Sequence, residues 1–425
     1  MLDINLIRQN PEKVKKGIAS KNSDPKLVDD FLTLDEEWRK LVKEIDDLRA
    51  EQKKLGDERK IDEATKIKDK IQSLEKDLKN IEKNREEILW QIPNLPSEDT
   101  PIGKDEKENK VIRKWGEPKE FDFKPRDHVE LGELLDIIDI ERASEISGSR
   151  FSYLKGAAAL LEFTLIQHTL NILTDQKILQ KIADKVQKEY SPKPFIPIVP
   201  PTMIRPDVFD KMARLKPEEE RYYIPKDDVY LIGSAEHTLG PLHMDEIIPE
   251  EKLPIRYIGF STSFRREAGS YGKDTRGILR VHQFDKLEIE SFTVPENSIK
   301  EQDFIVAIQE YLMQSLEIPY QVVAICSGDM GGPDARQIDI EAWIPSQNRY
   351  RETHTSDMMT DYQARRLNTK ARRKNGELEF IHMNDATAFA IGRTLVSILE
   401  NYQQKDGSIL VPKVLQKYLN FKKIG

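Results

Sequence analysis

The sequence predicts an α+β protein: an antiparallel β-sheet core flanked by helices, preceded by an N-terminal antiparallel α-helical coiled-coil hairpin. Three observations predict it. Two heptad seams lie within the first 92 residues. Strand-like runs then succeed one another, with helical patterns before and after them rather than alternating. Neither G-x-G-x-x-G nor G-x-x-x-x-G-K-[ST] occurs, so a nucleotide would bind without a Rossmann crevice or a P-loop.

The first seam runs Phe31, Leu34, Trp38, Leu41, Ile45, Leu48, in steps alternating three and four. The second runs Ala64, Ile67, Ile71, Leu74, Leu78, Ile81 and Ile88, with Arg85 taking one slot. Between them Leu55-Gly56-Asp57-Glu58-Arg59-Lys60 breaks the phase and reads as a polar turn. The remaining faces are almost wholly charged, so an arm over residues 27–92 should project from the body. Prolines at 93 and 96 end it. The arm carries 15 Lys+Arg against 19 Asp+Glu, so it is not basic overall. Its distal part is richer in cations, with Lys53, Lys54, Arg59 and Lys60, which suits contact with phosphates.

Residues 97–125 are polar and aperiodic and read as a linker. A helix follows over Ala157–Leu173, then an extended segment Phe195–Pro201. Strand patterns follow at Val229–Ile232, Ile255–Ser261, Leu279–Phe292, Tyr320–Ile325 and Gln337–Ile344. A last helix is predicted from near Ala388 to Tyr402. The domains are therefore 1–105, with the arm, and 106–425, the β-rich core.

Composition sets the class. In 425 residues 33% are charged and 38% apolar, and no apolar run approaches a membrane span. There is no basic then apolar leader at Met1–Asn5. The one cysteine, Cys326, excludes an intramolecular disulfide and any multi-thiolate zinc site. Together these predict a cytoplasmic protein with no membrane contact. The net charge of −8 leaves any nucleic-acid partner to local basic clusters.

The chemistry concentrates in Phe264-Arg265-Arg266-Glu267 and Arg280-Val281-His282-Gln283-Phe284. Arg265 and Glu267, two apart on an extended segment, would share a face. The arginine fork suits a phosphate, and the carboxylate can accept from an adenine amine or a ribose hydroxyl. Phe284 beside Arg280 offers a base-stacking surface with a second charge. The intervening Ala268–Ile278 carries Gly269, Gly272 and Gly277, which lets backbone approach a ligand. Arg393, in the first turn of the last helix, opposes the helix dipole, which suggests a compensating anion. Glu341 and Glu352, near the ends of successive strands, could hold Mg²⁺.

These residues belong to a longer set of phrases. Val199-Pro200-Pro201, Phe264–Glu267 with His282-Gln283-Phe284, and Ala390-Ile391-Gly392-Arg393 resemble the three class II aminoacyl-tRNA synthetase motifs. Ala268–Gly277, Gly328-Asp329-Met330-Gly331, Gln363-Ala364-Arg365-Arg366 and Leu399–Gln404 with Asp406-Gly407-Ser408 resemble bacterial-type seryl-tRNA synthetases over essentially the whole chain. The resemblance implies ATP-dependent formation of seryl-adenylate and pyrophosphate from L-serine, then transfer to the 3′-terminal adenosine of tRNA(Ser), with tRNA(Sec) as a further acceptor. It implies a homodimer through the first motif and an arm that binds tRNA.

Residue roles follow by the same resemblance. Arg265, Glu267 and Arg393 would be catalytic. ATP would meet Arg265, Arg266, Glu267, Arg280, Val281, Phe284, Glu352, Thr353, His354, Thr355 and Arg393. Glu352 and Thr355 would also hold Mg²⁺. Serine would meet Ser234, Ala235, Glu236, Arg265, Glu288 and Thr387. The chain departs from the family pattern around the amino acid: Ser234 stands for the usual threonine, Glu352–Asp357 reads Glu-Thr-His-Thr-Ser-Asp, and Asn384-Asp385-Ala386-Thr387 replaces the common Asn-Gly-Ser. Two other readings remain: a sister class II synthetase of different amino-acid specificity, and a non-catalytic tRNA-binding homologue. Cys326 alone could not build the zinc site of a threonyl enzyme. The second reading would be marked by loss of Arg265, Glu267 or Arg393.

Overall fold

The computed structural model describes residues 1–268 and 276–425. Gly269 and Gly272 of the glycine-bearing loop, with the rest of 269–275, lie outside the described residues. The chain divides into two compact units, Met1–Pro96 and Ser97–Gly425.

The first unit is dominated by α1 (Lys26–Asp57) and α2 (Ile61–Gln91). At 1.5 Å per residue each is about 47 Å long. Seam residues are buried or half-buried, and nearly all positions between them are exposed. The heptad pattern is visible because so little else covers these helices. Arg85 occupies its seam slot for a reason. Its Nε donates to Asp35 Oδ1 at 2.8 Å, and its guanidinium lies 4.8 Å from the Trp38 ring centroid and 5.4 Å from that of Phe31. Asp35 is fully buried and also accepts from Arg8 Nε and Nη2, both at 2.8 Å. Burial opposes its ionisation, but the two arginines outweigh it and hold its pKa below the ordinary value. Arg49–Glu75 and Lys70–Glu44, each at 2.8 Å, pin the register further out. The turn is made by Arg59 at φ +57°, not by Gly56, which stays inside α1. Lys53, Lys54, Arg59 and Lys60 are exposed at this tip, and Lys60 pairs with Glu58 at 2.8 Å.

The second unit is built on an eight-stranded sheet. Its strands in chain order are β1 (Lys110–Trp115), β2 (Ile196–Ile198), β3 (Ile255–Phe264), β4 (Gln283–Thr293), β5 (Tyr320–Ala324), β6 (Arg336–Ile344), β7 (Arg349–Thr360) and β8 (His382–Ala390). They lie in the order β1-β5-β6-β7-β8-β4-β3-β2. All neighbours are antiparallel except β2 on β3. Helices α3 (Ala157–Leu173), α4 (Gln176–Val186), α5 (Ser298–Ser315) and α6 (Ile391–Tyr402) supply the rest of the main core.

Alternation gives the sheet two unlike faces. Ile258, Leu287, Ile289, Val322, Ile338 and Ile340 point to the helices and form one apolar core. Their neighbours in sequence, including Lys286, Glu288, Glu290, Asp339 and Glu341, belong to the other face, which carries the charge.

Three expectations need correction. Residues 97–125 are not a free linker: Ser97 N donates to Ala335 O at 2.7 Å, and β1 pairs with β5 along the sheet edge. β1 is solvent-exposed over most of its length, so it lacks an apolar pattern to betray it. The unit boundary accordingly falls at Pro96 rather than residue 105. The last helix starts at Ile391, because Ala388 belongs to β8, an alanine-containing strand buried on both faces.

Candidate active site

β3 and β4 form a hairpin in which Phe264 faces Gln283 and Ser263 faces Phe284. The chain between them leaves the sheet at once. Glu267 takes φ +52°, so Arg265 and Glu267 do not share a strand face as the spacing suggested. They nevertheless reach one cleft, because the backbone turns there. Arg265 Nε donates to Gly233 O at 3.0 Å, and its guanidinium lies 5.4 Å from the Phe284 ring centroid. The arginine beside Phe284 is therefore Arg265. Arg280, outside the strand, instead meets Glu267 at 2.7 Å.

The return of this loop is locked from below. His128 is buried, and its Nδ1 lies 3.1 Å from Glu400 Oε1. Its Nε2 accepts from Ile278 N at 3.3 Å. Gly277 sits at φ +79°, and a Cβ there would overlap His128 Nε2, so only glycine fits.

The cleft, about 630 Å³, is lined by Arg265, Glu267, Arg280, Val281, Phe284, Glu352, Thr353, Thr355, Thr387 and Arg393, together with Lys286. It opens into a wider groove of about 1780 Å³ that shares Arg280, Glu352 and Arg393 and adds Asp339, Glu341 and Arg351. Arg393, in the first turn of α6, donates through Nη1 to Glu352 Oε1 at 2.9 Å and to the Glu352 carbonyl at 3.2 Å. The anion that compensates its awkward place at a helix N-terminus is thus a carboxylate of β7. Desolvation by the surrounding protein opposes ionisation of Glu352, but Arg393 and Arg265 outweigh it and hold its pKa below the ordinary value. The Thr355 hydroxyl donates to Asp339 Oδ1 at 2.7 Å.

Two predicted site residues stand elsewhere. Arg266 is exposed, with its guanidinium 5.4 Å from the Tyr222 ring centroid. His354 is fully buried on the helix side of the sheet, 5.3 Å from the Phe389 ring. The cause is a bulge: His354 pairs with Ile340 while Glu352 pairs with the next residue, Glu341, so one intervening residue flips the face. Burial holds the His354 imidazole neutral, with its pKa pushed down to about 3.

Beside the cleft lies a second, polar compartment. Ser234, Ala235 and Glu236 lead into a short helix, Glu236–Leu239, and all three are buried. Lys286 Nζ donates to Ser234 Oγ at 3.0 Å, lies 2.7 Å from Glu288 Oε2 and 4.0 Å from Glu236 Oε2. Glu288 pairs across the strands with Thr387. Carboxylate oxygens of Glu236, Glu288 and Asp385 come within 4.8 Å of one another. A divalent ion could sit among three such groups, but Lys286 already supplies a positive charge there. Burial, the largest influence, pushes Glu288 up to about 8 and Asp385 up to about 7. Glu236 moves the other way, because Lys286 and Arg214 outweigh its burial. Lys286 and Arg214 were not picked out from sequence. Lys286 had a local signal, a cation two residues before Glu288 on the same strand face. Arg214 had none.

The resemblance can now be set against known proteins. The family profile described as seryl-tRNA synthetase N-terminal domain matches residues 1–96, and that of the tRNA synthetase class II core domain (G, H, P, S and T) matches residues 220–402. The serine–tRNA ligase of Dictyoglomus turgidum is 44% identical over 438 residues, spanning 100% of this chain and 99% of the relative. That of Pseudothermotoga lettingae is 40% identical over 440 residues and spans all of both chains. The chain belongs to the seryl-tRNA synthetase family. Its fold agrees: the crystal structure of seryl-tRNA synthetase from Pyrococcus horikoshii, complexed with ATP, matches at TM-score 0.91 and 38% identity over 100% of this chain and 99% of that one. The cytoplasmic serine–tRNA ligase of Naegleria fowleri, in complex with AMP, matches at TM-score 0.89 and 34% identity over 100% of this chain and 98% of that one. A seryl-tRNA synthetase is an ATP-dependent ligase, and in this one the two compartments described above adjoin in the class II core.

Proposed function

We propose that the cleft binds ATP, that the adjoining compartment binds L-serine, and that the serine carboxylate attacks the α-phosphorus in line. The bond to pyrophosphate breaks and seryl-adenylate forms; the 3′-terminal hydroxyl of tRNA(Ser) then takes the seryl group and AMP leaves. The observation that carries this reading is the place of Arg265. It stands between Phe284, in the nucleotide cleft, and Gly233, next to the Ser234–Glu236 segment, so one guanidinium spans the junction at which carboxylate and phosphate must meet.

Each side then has a job. Phe284 stacks the adenine and Glu267 accepts from its amine, with Arg280 holding the Glu267 carboxylate. Arg265 stabilises charge on the α-phosphate in flight, and no side-chain nucleophile is needed. Arg393 turns from Glu352 to the phosphates. Glu352 and Thr355 are oxygen donors of the kind that hold Mg²⁺, which keeps waters and takes only one or two carboxylates alongside phosphates. That ion, when bound, would offset charge on the phosphate oxygens. Glu236, Glu288 and Thr387 read the ammonium and hydroxyl of serine. An amino acid without the hydroxyl would leave buried polar groups unpaired, which is costly.

The tip cations Lys53, Lys54, Arg59 and Lys60 suit a tRNA backbone. A homodimer through the Val199-Pro200-Pro201 side is supported by apolar residues left exposed there and on α3: Val199 is 83% and Phe163 66% exposed. A cytoplasmic location is the one this reading favours, where ATP, serine and tRNA meet.

ATP–pyrophosphate exchange with each amino acid in turn tests this reading. Exchange is expected with serine alone; exchange with threonine or alanine but not serine overturns the assignment.

A further inference from the structure

We infer that Arg214 is a positioning residue for amino-acid selection: it fixes Asp385 and Glu236 as a pair of carboxylates that receive the α-ammonium of the substrate. This rests on the serine compartment proposed above and adds to it a residue outside every motif.

Arg214 follows the short helix Pro206–Lys211, and its backbone is held from two sides. Arg221 Nη2 donates to Arg214 O at 2.6 Å, and Gln363 Nε2 to Met212 O at 2.9 Å. The side chain runs into the charged face of the sheet. Nη2 lies 3.1 Å from Asp385 Oδ2, 3.2 Å from Asp334 Oδ1 and 3.5 Å from Asp357 Oδ2. Nε lies 3.6 Å from Glu236 Oε1, too far for a hydrogen bond.

The arrangement is incomplete in one direction. Asp385 is 1% exposed, and among the described residues its second oxygen, Oδ1, has no hydrogen-bond partner, nor has Arg214 Nε. A buried carboxylate oxygen left unmade is costly unless something arrives to meet it. The oxygens of Asp385, Glu236 and Glu288 converge within 4.8 Å. Glu290, buried and with neither oxygen hydrogen-bonded among the described residues, lies two residues beyond Glu288 on β4. Lys286 is committed to Ser234 and Glu288. Carboxylates therefore crowd round Arg214 and Lys286, and a substrate ammonium adds the positive charge that the compartment is short of. Arg214 does not touch that ammonium. It holds Asp385 by one oxygen so that the other faces inward, and its guanidinium sets Nη2 among Asp385, Asp334 and Asp357 while Nε stays beside Glu236, a pair of fixed nitrogens that a lysine's single ammonium does not reproduce.

Serine-dependent ATP–pyrophosphate exchange by the full-length protein is the test, with thermal melting to check folding. Wild-type protein without serine-dependent exchange would sink the functional reading itself, before Arg214 is at issue. Given wild-type exchange, R214K is expected to raise the KM for serine about tenfold or more, with kcat and the KM for ATP within about threefold of wild type. D385N keeps the volume, gives up the charge and leaves Arg214 in place, so it should raise the serine KM alike. It also serves if R214K does not fold. In R214K/D385N the two rises in serine KM should not multiply, because Arg214 acts through Asp385. An unchanged serine KM in the folded single variants, or a parallel rise in the KM for ATP, overturns the inference.

Discussion

Arg393 Nη1 rests 2.9 Å from Glu352 Oε1, and the two residues come from the first turn of α6 and from β7. Each is thereby held at the mouth of the cleft by the other. Binding of ATP with Mg²⁺ on the proposed roles must part them, the guanidinium going to phosphate and the carboxylate to the metal. R393A should then lower kcat/KM for exchange by about 10²–10³, the usual cost of losing one charge-stabilising donor. R393K should recover only part of this, because it lacks the fork. Near-wild-type exchange by R393A would remove the residue from the mechanism.

The compartment proposed for serine should be sensitive to pH. Glu288, pushed up to about 8, holds a proton at neutral pH in the empty folded protein, and its ordinary value is 4.5. An incoming ammonium favours the ionised form. The KM for serine should therefore fall as pH rises from 6 to about 8. The stability effect has the opposite sense. Between 4.5 and about 8 the folded group carries a proton that the unfolded one has lost, so this group's contribution to stability declines as pH rises. E288Q should reduce the slope of the serine KM against pH and leave the part due to Asp385, pushed up to about 7; a flat wild-type profile argues against the role of these carboxyls.

Deleting residues 35–85 should abolish tRNA charging and leave serine-dependent exchange largely intact. Equal loss of both would mean the arm supports the core instead of reaching for tRNA.

Asp35 offers a milder test of the same unit. D35A removes the acceptor shared by Arg8 and Arg85 and leaves a guanidinium in the seam. It should cost the first unit about 3 kcal/mol, read by thermal or urea unfolding. A change within about 0.5 kcal/mol would show the buried pair to be dispensable.

Gly277 tests the loop anchor. G277A puts a methyl into His128 at a positive φ, so it should destabilise the protein by about 2–4 kcal/mol and lower exchange. G277A with H128A should regain part of the stability, since the overlap is gone.

What could be read in advance follows from how locally each feature is encoded. The coiled-coil seams were legible because exposed helices keep their apolar residues on one narrow stripe. That the residues proposed for ATP line one cleft was legible because most come from one hairpin and one helix start. The strand argument for Arg265 and Glu267 was wrong in its backbone, yet both residues line the cleft. β1 was missed because an exposed edge strand shows no alternation. His354 was misplaced by a single bulged residue, which no spacing rule exposes. Arg214 was out of reach for a different reason: its three aspartate partners lie 120 to 171 residues away along the chain, so only the folded sheet brings them together.

The two unlike faces of β4 tie inheritance of the fold to inheritance of its chemistry. Leu287 and Ile289 fill the core, while Lys286, Glu288 and Glu290 furnish the other side of the same strand. Inserting or deleting one residue there would swing lysine and glutamates into the oil and leucine into the substrate compartment at one stroke. Point substitutions can retune either side separately, whereas a change of length within this strand moves both sides together.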